Sequence, residues 1–283
     1  MSSSSARGRG NRRRGFPALT IVLVAVLVLA LAAIPLVFLQ GYSRGVETGG
    51  RATGQAASRD SALPTLPGGA RVGSGQDLGT FVENSTGSQV SFHRLSDGHR
   101  TGTATERFAR PALSLVKLYI ADHVLEHGTL AEQYAAIAMI SSSDDGTASE
   151  LYEKYPDSIG ETARKYGLMS TRGDERWGYS VTSTYDVVSF VSQLMEEDPT
   201  SPILVAMAQA SPVAADGYGQ DFGTSVLPGV IGTKWGWSDG RELHSSVSFG
   251  EDFVVAAAVT GSADDLTALV EEQLTDEVAA ASR

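Results

Sequence analysis

Ser114 and Lys117 stand three residues apart in the run RPALSLVKLYIADHVLEH, Arg110 to His127. Apolar residues recur there at helical spacing, so the run predicts a helix from Ser114 to His127 with both side chains on one face. A serine in the first turn of a helix keeps an unpaired backbone N–H beside its hydroxyl, and that N–H is available to hold an oxyanion. A lysine one turn on, desolvated or set near a second cation, loses its proton and activates the hydroxyl. On its own, the quartet is equally an ordinary helix start with a surface lysine.

Two more groups follow in the chain. Ser143-Asp144-Asp145 comes directly after the helical run AAIAMI, and Lys234-Trp235-Gly236 lies on the strand-like run VIGTKWGW (230–237). In this order the three groups resemble the S-x-x-K, S-D-N and K-T-G set of the penicillin-recognising serine hydrolases, the class A β-lactamases and D-alanyl-D-alanine peptidases. The neighbourhoods are similar too. SQVSFHRLSDGHRTGTATERFARPALSLVKLYIADHVL has the strand, turn, strand, Arg-Phe and nucleophile helix of that family. AMISSSDDGTASELY matches the surroundings of the S-D-N loop, and VTSTYDVVSFVSQL resembles the helix that follows the omega loop. The resemblance covers roughly residues 88–280.

The resemblance implies an acyl-enzyme mechanism. Ser114 would attack an amide carbonyl, Lys117 would be the general base, and Ser143 would relay a proton to the leaving nitrogen. Lys234 would supply positive charge for a substrate carboxylate and help tune Lys117. The oxyanion would sit between the backbone N–H groups of Ser114 and Trp237. Asp145, Trp235, Gly236 and Trp237 would contact the substrate, a peptidoglycan-like peptide or a β-lactam-like small molecule. No cofactor and no metal are implied.

Four departures from the family pattern bear on activity. Asp145 replaces the family's asparagine; a carboxylate cannot donate a hydrogen bond, and it would pair with Lys117 or Lys234 and hold that proton on. Trp235 replaces the threonine, so it either blocks the carboxylate pocket or faces away. In STRGDERWGYSVTSTYD the register puts Trp177-Gly178, not Asp174 or Glu175, where class A enzymes keep the carboxylate of deacylation. Ser114 and Ser143 are only 29 positions apart, which shortens the helical subdomain. These features predict a serine hydrolase that is not an efficient β-lactamase, or else a catalytically silent relative that binds envelope polymer or a partner protein.

The elements that must position these residues are predicted by pattern. QVSFHRL (89–95) alternates as a strand and ends at the turn Ser96-Asp97-Gly98. Helices are expected over Leu130–Ile140, Ser149–Lys154, Ile159–Tyr166 and Ser183–Met195, the last with a serine cap and an apolar stripe. The runs 230–237, 244–250 and 253–261 form an antiparallel meander with short turns, and a helix over Asp264–Ala281 closes the chain. This order is α+β: an antiparallel sheet packed by N- and C-terminal helices, with an inserted helical subdomain. Trp235 and Trp237 alternate with Lys234 and Gly236 and so share a strand face; one is expected at the cleft and the other packed by a local twist. His244 is a weaker candidate for lining the cleft across from Trp235. His123 and His127 have the four-residue spacing of metal ligands, but the sequence around them offers no third ligand, and they read as a solvated helix face.

Composition bounds the rest. Hydrophobic residues are 42% and charged residues 19% of 283, a globular balance, and there is no cysteine, which excludes thiolate chemistry. Five of the 22 Lys and Arg residues lie in MSSSSARGRGNRRRG, leaving 17 against 33 acids in the remainder. Such an acidic body excludes nucleic acid as a partner, since phosphate binding needs a basic face. Residues 17–39 carry no charge and are long enough to span about 30 Å of hydrocarbon. Preceding arginines predict an uncleaved signal-anchor with 1–16 cytoplasmic and the body outside. Residues 40–75, rich in Gly, Ser, Ala and Thr, read as a flexible linker, and 76–283 as the hydrolase-like domain; the G-x-S-x-G at Gly41–Gly45 lies in that linker and lacks the strand–helix setting of a nucleophile elbow. The oligomeric state is not encoded in any of these patterns.

Overall fold

The computed structural model describes residues 87–281. The basic tip, the expected span at 17–39, the linker and the expected N-terminal packing helix lie outside the described residues. Among the described residues, no helix is long and apolar enough to cross a membrane.

A five-stranded sheet is built from β1 (Gln89–Arg94), β2 (Arg100–Gly102), β5 (Gly232–Trp237), β6 (Leu243–Phe249) and β7 (Phe253–Thr260). Its order is β2-β1-β7-β6-β5 with every neighbour antiparallel, so β5 forms one edge. A two-residue pair, β3 (Arg110–Pro111) with β4 (Val181–Thr182), ties the chain ahead of Ser114 to the far end of the helical subdomain. That subdomain holds α1 (Lys117–His127), α2 (Leu130–Ser142), α3 (Asp145–Lys154) and α4 (Ser158–Tyr166). After β4 come α5 (Thr184–Glu197) and α6 (Pro202–Ala208), and α7 (Ala263–Ala281) ends the described chain.

The period-2 alternation of strand side chains divides the core in two. From β7, Val254 and Ala256 join the cluster with Val116, Ile120, Val187 and Val191 under the helical subdomain. Phe253, Val255 and Ala257 point the other way, onto Leu266, Val270, Leu274 and Val278 of α7. The sheet is thus covered on both faces, as the α+β order required.

Local chemistry sets the helix ends near the site. Thr129 and Glu132 form a reciprocal capping box at the start of α2. The carboxylate of Asp144 accepts the N–H of Thr147 at 2.6 Å and caps α3. This cap starts α3 at Asp145, four residues before the expected Ser149. The helix expected from Ser114 instead begins as a 3-10 turn, Leu113–Val116, and becomes α-helical at Lys117. α6 was not expected, although Ser201-Pro202 carries the proline that suits a first helical position.

Candidate active site

Of the residues that the sequence singled out, Ser114, Ser143, Asp145 and Trp237 line one cleft between β5 and the helical subdomain. It encloses about 970 Å³ and is lined by Ser114, Ser143, Asp145, Trp177, Asp216 and Trp237, among others. Ser114 sits in the 3-10 turn with little exposure, directly ahead of α1. Lys117 and Lys234 are fully buried beneath the cleft floor.

Both lysines aim at Ser143. Lys117 Nζ donates to the Ser143 carbonyl at 2.6 Å and lies 3.4 Å from its Oγ, while Lys234 Nζ donates to Ser143 Oγ at 2.7 Å. Burial is the chief force on each ammonium. It lowers the pKa of Lys117 from the ordinary lysine value and carries that of Lys234 well below it, with the Lys117 charge pressing Lys234 further down. Two cations out of water, converging on one hydroxyl, form a proton-labile arrangement.

Asp145 opposes this. As the first residue of α3 it places Oδ1 2.5 Å from Lys117 Nζ. The expectation of a carboxylate holding the lysine's proton is therefore met geometrically, with Lys117 as partner. Its side chain is 66% exposed, so water screens the pair, and burial still dominates the shift of Lys117. Trp177 lies across from the same ammonium, with its ring centroid 5.0 Å from Nζ.

The backbone around the nucleophile position is also specialised. Three non-glycine residues have positive φ among those described, Leu113 (52°), Ser143 (56°) and Arg241 (66°), and all three line this cleft. Left-handed backbone costs energy in a residue with a Cβ and clusters where a site needs it. Leu113 turns the chain immediately before Ser114, and Ser143 ends α2 in the same conformation.

β5 supplies the facing wall. Ser238 N–H bonds the Leu243 carbonyl at 3.0 Å, so by the alternation of an antiparallel ladder the N–H of Trp237 turns away from β6, toward the open edge. A Cβ on Gly236 would come within 2.9 Å of Ser114 N and 2.8 Å of Leu113 Cβ. Only glycine lets the strand approach the turn this closely. Gly236→Ala is accordingly expected to push β5 off Ser114, separate the two N–H groups and slow labelling of Ser114 by an acylating reagent by about tenfold or more. Stopped-time labelling on a variant with an unchanged circular dichroism spectrum checks this.

One tryptophan expectation, Trp235 as a substrate contact, is corrected. Trp235 does not line the cleft: it is packed among Phe222, Leu227 and Leu266 on the α7 side, and its Nε1 donates to the Phe222 carbonyl at 2.8 Å. Alternation along β5 sends it opposite to Lys234 and Gly236, which removes it as a substrate contact. Trp237 shares that face but lies at the strand's end; its ring forms the cleft rim, its Nε1 donating to Asp216 Oδ2 at 3.0 Å. His244 pairs with Trp237 rather than Trp235 and is buried, bound to Tyr218 Oη at 2.9 Å and the Gly261 carbonyl at 2.8 Å. Sequence reading missed Asp216 and Arg241, which join Trp237 and Tyr218 in one cluster at the rim; the Asp216-Gly217 turn was the available signal. Neither Asp174 nor Glu175 lines the cleft, whereas Trp177 and Gly178 do.

With this geometry, the fold is β-lactamase/transpeptidase-like. No family model matches the chain. A β-lactamase from Burkholderia ambifaria superposes with a TM-score of 0.54 at 16% identity, covering 74% of this chain and 99% of that one. Penicillin-binding protein D2 from Listeria monocytogenes, in its cefotaxime-bound form, superposes with a TM-score of 0.50 at 18% identity, covering 67% and 95%. Among sequences, "Putative lipoprotein LppW" of Mycobacterium tuberculosis and of Mycobacterium bovis is 30% identical over 44% of this chain and 46% of its own. The chain spans about half the length of these relatives.

Proposed function

We propose that this chain is an envelope-facing serine hydrolase, tethered to the membrane through residues 17–39, that forms an acyl-enzyme on an amide or ester of cell-wall type and releases it slowly. The observation that carries the reading is the pair of fully buried lysines aimed at Ser143 beside the Ser114 turn. Likeness to a penicillin-binding protein in its cefotaxime-bound form and to proteins named as lipoproteins supports the substrate class and the envelope setting. The domain limits, with the hydrolase part over 76–283, belong to the same proposal.

In this mechanism neutral Lys117 takes the proton of Ser114 Oγ as the oxygen attacks the carbonyl carbon. Negative charge on the carbonyl oxygen is held by the N–H groups of Ser114 and Trp237. Ser143, its hydroxyl hydrogen-bonded by Lys234, passes a proton to the departing nitrogen or oxygen as the bond to carbon breaks, leaving an ester on Ser114. Water must then cleave that ester. Four carboxylates line the cleft. Asp145 is engaged by Lys117, Asp216 by Trp237 and Arg241, and Glu242 by Ser238, while Asp239 sits in the exposed turn after β5. Neither Asp174 nor Glu175 lines the cleft, which is why slow turnover, not efficient β-lactam hydrolysis, is expected.

A second reading rests on one observation, the Lys117–Asp145 pair: with its proton held on, Lys117 is no base, and the cleft only binds envelope polymer or a partner. The two are separated by incubating the full chain with a fluorescent penicillin and, separately, a fluorophosphonate. Labelling that is lost in Ser114→Ala is the expected result; labelling by neither reagent sinks the hydrolase reading.

A further inference from the structure

Well away from the cleft, at the far end of α1, His123 and His127 meet Glu161 from the first turn of α4. The two imidazole centroids are 4.5 Å apart, and His123 Nδ1 lies 3.1 Å from Glu161 Oε2. One ligand atom from each of the three residues falls within 4.8 Å of the others. His123 is nearly buried, its ring held by Tyr155 at 5.4 Å, whereas His127 is mostly exposed. The third ligand that the sequence around the histidine pair did not offer is thus brought in by the packing of α4 on α1.

We propose that His123, His127 and Glu161 bind a borderline divalent cation such as Zn²⁺, clipping the last turn of α1 to the first turn of α4. Two imidazoles and one carboxylate are a zinc-type donor set, with a position left for water. Nitrogen donors favour Zn²⁺, Ni²⁺ or Cu²⁺ over Mg²⁺ or Ca²⁺, which take all-oxygen shells. The surroundings fit a cation: Glu126 lies 3.7 Å from His127 Nε2 and offers a second carboxylate. Facing groups that compete are Lys165, which pairs with Glu126 and Asp122, and Arg164, 3.9 Å from Glu161. Burial and the neighbouring His127 lower the pKa of His123, which favours the neutral, coordinating form of its imidazole. An ion entering between His123 and Glu161 takes the place of their direct contact, and side-chain rotations draw the three ligand atoms together around it.

The test uses the full chain without a polyhistidine tag, stripped with a chelator. Titration with Zn²⁺ at neutral pH is expected to show one saturable equivalent and a raised unfolding temperature, with no comparable effect of Mg²⁺. His127→Ala, an exposed change, and Glu161→Gln should each weaken binding by about tenfold or more, while His99→Ala should leave it unchanged. Co²⁺ at the same site should give a low-coordinate visible spectrum lost in His127→Ala. A Zn²⁺ titration without a saturable equivalent, or one that His127→Ala and Glu161→Gln leave intact, would overturn the proposal.

Discussion

Asp145→Asn is expected to raise the rate at which Ser114 is acylated by about 10- to 100-fold at neutral pH. The reason is the contact of Asp145 Oδ1 with Lys117 Nζ. Burial lowers the pKa of Lys117, and the carboxylate raises it. Removing the charge leaves burial unopposed, so the neutral fraction of Lys117 grows. Each pKa unit is worth a factor of ten in that fraction as long as the lysine is mostly protonated. Exposure of the aspartate keeps the estimate below what Coulomb's law for a dry site would give. The sign is visible in the pH profile. Acylation by the native chain should climb as pH rises and Lys117 deprotonates, and in Asp145→Asn the same limb should sit at lower pH. An unchanged profile would mean that Lys117 is not the base.

Lys234→Met is expected to separate function from stability. Lys234 is fully buried with a hydroxyl and its neighbour's carbonyl as partners, and no carboxylate pairs with it. A cation in this position destabilises the fold, and a similar-sized apolar side chain removes that cost, so stability should rise by about 1–2 kcal/mol. The linkage has a definite sign. Because the folded pKa of Lys234 is depressed, the unfolded chain binds more protons between that pKa and the ordinary lysine value. The gain in Lys234→Met should therefore grow as pH falls through this window, level off below it, and fade as pH approaches that of a free lysine. Ser143 would meanwhile lose its donor, and acylation should drop by about 100-fold or more. Urea unfolding at two pH values, alongside labelling rates, reads both effects. Loss of both stability and labelling would assign Lys234 a structural role only.

Much of this arrangement was legible in the residues themselves. The meander reads directly from three apolar runs with short polar turns, and α2, α4, α5 and α7 fall within a few residues of their expected bounds, because their caps and stripes are local signals. Ser114, Lys117 and Ser143 lie at helix boundaries and Lys234 within the strand-like run, so the local pattern could set each near its element. Misreadings came where tertiary packing decides. Whether Trp235 faces cleft or core depends on which sheet face α7 covers, which alternation alone does not encode. The start of α3 hangs on the side-chain cap of Asp144, and that cap also determines that Asp145 reaches Lys117. Asp216, Arg241 and Glu161 arrive from distant segments and carry no pattern that ties them to their partners.

The most direct test of the central claim is a peptide map of the native full chain after exposure to a penicillin. Recovery of the acyl adduct on Ser114, formed faster as pH rises and persisting long after free reagent is removed, is the expected result. No adduct at all, or an adduct on a residue other than Ser114, would contradict the assignment of Ser114 and Lys117 as a nucleophile and its base.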